Sequence, residues 1–126
     1  MKEMVYKVVV DKYGTIRWYH NNQLHNENGP AIIYADGTQV WYINGKRHNE
    51  NGPAIIFADG AQSWWINGNL HNETGPAIAC ADGSKQWWIN GKQLSEQEFN
   101  ARTQKCNHDG DVVTIDGVEY KLNRIG

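Results

Sequence analysis

Cysteine and proline are scarce in this 126-residue chain, at two and three. Cys80 and Cys106 show no CxxC spacing, so they read as free thiols of a cytosolic protein rather than a staple. No stretch approaches the ~20 apolar residues of a membrane span. The opening MKEMVYKVVVDKYG carries an apolar run too short, and too interrupted by Lys7, for a signal peptide. A cytoplasmic protein with no membrane association is the expectation. Positive charge is also thin. Across residues 21–84 the only bases are Lys46 and Arg47, against six acids, a net charge of −4 with His neutral. Phosphate neutralisation needs a basic footprint, so nucleic acid is not an expected partner. There is no GxSxG, no glycine-rich phosphate loop and no paired Cys/His nucleophile, and no enzyme is expected.

What the chain does have is repetition. Trp18, Trp41, Trp64 and Trp87 stand 23 residues apart, as do His25, His48 and His71, Pro30, Pro53 and Pro76, and Asp36, Asp59 and Asp82. A fixed period of this length marks a repeat array. Residues 5–10 read as a strand of a first copy, in which Tyr13-Gly14 replaces Asp36-Gly37 and Asn21-Asn22 replaces Asn-Gly. Asn tolerates the left-handed conformation, so that turn survives.

Each copy holds two short hairpin signals, Asp-Gly (36–37, 59–60, 82–83) and Asn-Gly (44–45, 67–68, 90–91). Both suit two-residue type I′ turns, and strand–turn–strand–turn predicts an antiparallel meander. Each Pro follows a Gly near the start of a strand, where a bulge or bend is expected. A two-residue turn at Asp36-Gly37 closes Ala35 on Thr38 and pairs Ile33 with Val40 and Ile32 with Trp41. One face then collects Ile32, Tyr34, Trp41 and Ile43, and the other Ala31, Ile33, Ala35, Val40 and Tyr42. Both are partly apolar, so one of them must be covered. Cys80 takes the slot of Tyr34 and Phe57 and reads as a small apolar filler.

After Lys92 the pattern stops. Ser95 with Glu98 forms a capping box, predicting a helix over 95–104 with Phe99 on its inner side. A closing hairpin over 111–122 turns at Asp116-Gly117 and is expected beside that helix. The whole is predicted as a mainly β, single-domain antiparallel meander of stacked hairpin repeats over 1–94. Residues 95–126 form a C-terminal cap that shields the last strand.

The run WYINGKRHNENGPAIIFADG resembles a MORN repeat (membrane occupation and recognition nexus) at Trp41, Gly45, His48, Gly52 and Asp59-Gly60, and again at Trp64, Gly68, His71, Gly75 and Asp82-Gly83. It departs from that family in the HNENGP segment, where His-Gly is normally direct. The His-x-x-x-Gly-Pro-Ala variant resembles repeat proteins of large bacteriophages and giant viruses. The resemblance covers about residues 15–92 and implies an open sheet of stacked hairpins that serves as a scaffold or interaction surface. It also implies a viral accessory protein acting in the host cytoplasm on a host or defence protein.

Three side-chain series could carry function. Histidines equivalent across a two-strand repeat lie about 9.6 Å apart, too far to share one metal, so no metal or other cofactor is expected. His-Asn-Glu recurs three times (25–27, 48–50, 71–73), and repetition points to structure, not to one convergent catalytic site. Tyr19, Tyr42, Trp65 and Trp88 form an aromatic stripe with three open fates: core, protein interface (a homodimer included), or a platform for a saccharide or other small ligand. Glu27, Glu50 and Glu73 form an acidic ladder, either merely solvated or complementary to a basic partner. The leading expectation is a non-catalytic protein-interaction module. The alternatives are a carbohydrate or small-molecule binder and a structural or assembly component.

Overall fold

A computed structural model describes residues 4–106 and the short strands Thr114–Ile115 and Val118–Glu119. The chain divides into two compact units, Met1–Gln93 and Leu94–Gly126. The first is an antiparallel β array. Its main sheet runs, neighbour to neighbour, through Lys7–Val10, Ile16–His20, Ile32–Ile33, Gln39–Val40, Ile55–Ile56, Gln62–Ser63, Ile78–Ala79, Lys85–Ile89 and Lys92–Leu94. Each 23-residue copy adds two strands to it.

The Asp-Gly turns are not the two-residue turns that the dipeptide suggests. Gly37 is left-handed (φ 95°) while Asp36 is not. The Gly37 N–H donates to the Tyr34 carbonyl and the Tyr34 N–H to the Thr38 carbonyl, both at 2.9 Å. That is a three-residue loop, a type I turn ending in a left-handed glycine. The Asp36 carboxylate stabilises it by accepting the Thr38 N–H at 2.9 Å. The extra loop residue corrects the expected register: Ile32 faces Val40 and Ile33 faces Gln39. A one-residue slip reverses which side chains share a face, so Ile32 and Val40, expected on opposite faces, lie on one.

That shared face is the core. Ile32, Val40 and Ile55, each less than a tenth exposed, form its centre, with Leu24, Tyr42 and Trp65 packed against them. Cross-strand pairing runs Ile32–Val40–Ile55–Ser63 along one row, which places the apolar side chains of successive copies in contact range. Ala31, Ala54 and Ala77 are fully buried at the bend that follows each Pro, as expected from proline's inability to donate to a ladder. Cys80, read as a small apolar filler, is exposed, and so are Tyr34 and Phe57 in the same slot, which flanks the turn.

The Asn-Gly turns do follow the type I′ expectation: Asn44 has φ 50° and Gly45 φ 80°, with Asn67-Gly68 and Asn90-Gly91 alike, and Asn21-Asn22 holds the same shape at 52° and 64°. The two middle ones close small hairpins set off from the main sheet, Tyr42–Ile43 with Lys46–Arg47 and Trp65–Ile66 with Asn69–Leu70, while those at Asn21-Asn22 and Asn90-Gly91 join strands within it. These hairpins stack by backbone bonds from one copy to the last: the Gly45 N–H donates to the Leu24 carbonyl, Gly68 to Arg47 and Gly91 to Leu70, all at 2.9 Å.

In the second unit, the helix Glu96–Cys106 begins at the anticipated capping box. The Glu98 N–H donates to Ser95 Oγ at 3.0 Å and the Ser95 N–H to Glu98 Oε1 at 2.8 Å. Phe99 is buried. Of the expected closing hairpin, Thr114–Ile115 and Val118–Glu119 pair antiparallel; its turn residues Asp116 and Gly117 and its remaining residues lie outside the described ones. Among the described residues no helix is long and apolar enough to cross a membrane.

Candidate functional site

The His-Asn-Glu loop is built three times from the same bonds. Within each loop the Asn is a clamp. Asn49 Oδ1 accepts the Asn51 N–H at 3.0 Å, and Asn49 Nδ2 donates to the Pro53 carbonyl at 2.9 Å. Asn26 and Asn72 make the equivalent bonds. The Asn49 backbone N–H donates to the Trp65 carbonyl of the next copy at 3.1 Å. Asn suits this position because its amide carries an acceptor and a donor on separate atoms of one short side chain.

The histidine joins copies. His25 Nδ1 accepts the Asn44 N–H at 2.8 Å, His48 Nδ1 that of Asn67 at 3.0 Å, and His71 Nδ1 that of Asn90 at 2.9 Å. A ring nitrogen that accepts a backbone N–H carries no proton, so the proton of the neutral ring sits on Nε2. Nε2–H then donates to the glutamate two residues on, at 3.2 Å for Glu27 and 3.1 Å for Glu50 and Glu73. Both ring nitrogens are therefore used inside the array. Among the described residues no three His, Cys, Asp or Glu side chains converge as a metal site would require.

These bonds orient the acidic ladder. Each glutamate is held through Oε2 while most of its side chain faces solvent, Glu50 being 76% exposed. Two grooves lie between successive loops. One, of about 370 Å³, is lined by Trp41 and Ile43 with Glu27 and Glu50. The other, of about 430 Å³, repeats it with Trp64, Ile66, Glu50 and Glu73. Glu50 belongs to both.

The aromatic stripe is elsewhere. Side chains alternate along a strand, so Tyr42 and Trp65 go to the core while Trp41 and Trp64, one residue earlier, line the grooves. All four stripe residues, Tyr19, Tyr42, Trp65 and Trp88, are half-buried. The Trp65 indole N–H donates to Ser63 Oγ at 2.8 Å, and the Arg47 guanidinium covers its ring at 4.9 Å. The Trp88 indole N–H donates to Gln86 Oε1 at 2.9 Å. The structure thus joins the ladder to the 23-residue tryptophan column, not to the stripe. That column was visible in the sequence as its strictest repeat, but only the strand alternation and loop path show that it borders the carboxylates.

Two aspartates at the other turns have carboxyls held below the usual range. For Asp36 the cause is chiefly the Thr38 backbone N–H, and for Asp82 that of Ser84, each seconded by the hydroxyl of the same residue. They serve the loops that set register and lie outside the grooves. Comparison with protein-family models, with curated proteins and with solved structures found no significant match for this chain.

Proposed function

We propose that this chain is a non-catalytic protein-interaction module whose contact surface is the ladder of His-Asn-Glu loops and the tryptophan-lined grooves between them. One observation carries this reading: two grooves built on equivalent Trp, Ile, His and Glu positions recur one repeat apart, with carboxylates oriented from behind by histidine. A surface that repeats suits a partner met at several points, and aromatic side chains beside polar groups are the usual anchors of protein interfaces. The stripe supports a saccharide platform less well, because Trp65 already packs on the core and carries Arg47 over its ring. The thin cysteine content suits a cytoplasmic setting. The likeness to viral MORN-type repeats makes a host or defence protein the natural partner.

Affinity capture from cell lysate tests the reading. Three baits are compared: wild type, the triple variant Glu27→Gln/Glu50→Gln/Glu73→Gln, and Trp65→Ala/Trp88→Ala. The triple variant changes exposed side chains and should keep its fold while losing the captured partner. Identical capture by wild type and the triple variant would overturn the proposed surface.

A further inference from the structure

The next step rests on the interaction-module reading and concerns the chemistry of the partner. Among the described residues no Lys or Arg lines either groove, and each groove meets two carboxylates from different loops. The histidines hold Oε2 of each glutamate, and Oε1 takes no other protein partner among the described residues. Each groove thus pairs an unneutralised, oriented negative charge with an indole. That combination fits a cationic side chain whose methylene stem lies on the ring while its head meets the carboxylates. A cation over an indole occurs within the chain itself, where Arg47 covers Trp65.

The distance between grooves narrows the partner further. Successive copies advance by two inter-strand spacings, about 9.6 Å. A polyproline II segment rises about 3.1 Å per residue with three residues per turn, so every third side chain points the same way about 9.3 Å further on. A β-strand presents one face every second residue, about 6.8 Å, and misses this spacing. We infer that the two grooves bind an extended, basic, proline-rich segment of a partner protein that carries Lys or Arg at every third residue, one cation per groove, with Glu50 shared between them.

The test is a titration of the whole chain, followed by tryptophan emission and by calorimetry, with a nine-residue peptide of three Lys-Pro-Ala triplets. A control peptide of the same composition carries its three lysines side by side. The periodic peptide should bind about tenfold tighter than the control, perturb tryptophan emission, and weaken in about 0.5 M salt. Glu50→Gln should weaken it about tenfold, more than Glu27→Gln or Glu73→Gln alone, because it alone serves both grooves. The double variant Glu27→Gln/Glu73→Gln removes one carboxylate from each groove by another route and should match Glu50→Gln, which guards against a folding defect in either. Equal binding of the two peptides, or wild-type affinity in both variants, overturns the inference. If the periodic peptide fails to bind while the triple Gln variant still loses its captured partner, the inference falls and the interaction module stands. Capture that ignores the loops fells the module reading itself.

Discussion

Replacing His25 by Ala should be the costliest change among the three equivalent histidines. The side chain is only 3% exposed, against 13% for His71. It sits among aromatic rings, with Tyr6 stacked at 6.3 Å and His20 at 5.5 Å. Deleting it leaves the part-buried Asn44 N–H without its acceptor, worth about 1–1.5 kcal/mol. The lost ring burial adds about 1–2 kcal/mol. Together the loss is about 3 kcal/mol, a large share of the ~5–15 kcal/mol typical of a domain. His71→Ala should cost only about 1–1.5 kcal/mol, because the Asn90 N–H is exposed and water can take the place of Nδ1. His71→Asn puts a carbonyl oxygen near the position of Nδ1 and should recover part of that. Urea unfolding followed by tryptophan fluorescence and by circular dichroism gives the differences, with equal m-values required for the comparison. If His25→Ala costs no more than His71→Ala, the histidine does not stabilise the array by bridging copies, and the reasoning fails.

Other consequences are as direct. Asn49→Asp keeps the acceptor for the Asn51 N–H but loses the donor to the Pro53 carbonyl, so it should cost about 1–2 kcal/mol, read as a shift of the urea midpoint. Gly37→Ala puts a Cβ at φ 95° with no atom nearby to clash, so only backbone strain of about 1–2 kcal/mol is expected; a neutral effect on thermal unfolding would contradict the assigned turn. Because the Thr38 N–H depresses the Asp36 carboxyl in the folded state, the unfolded chain takes up the proton first as pH falls. The stabilisation is therefore complete above the ordinary carboxylate range and fades below about pH 4. Asp36→Asn keeps the acceptor without the titration and should flatten acid unfolding in that window; an unchanged acid limb would count against the assignment. Ser95→Ala removes one half of the capping box and should cost the helix about 1 kcal/mol, visible as lost helical circular dichroism.

The sequence alone determined the period, the hairpin array, the shape of the Asn-Gly turns and the start of the helix. Each of these follows from chemistry within a few residues: positive φ at Asn44-Gly45, proline's missing donor, a hydroxyl and a carboxylate three residues apart. Register was different. Asp-Gly suits both a two-residue turn and a three-residue loop with a left-handed glycine, and one residue of difference moves Val40 to the other face. Only the assembled sheet chose between them, by burying Ile32, Val40 and Ile55 together. The histidine partners were equally out of reach, since Nδ1 bonds a backbone N–H 19 residues away in the next copy. So was the alliance of Glu50 with Trp41 and Trp64, because sequence spacing says which side chains repeat but not which loops come to lie side by side.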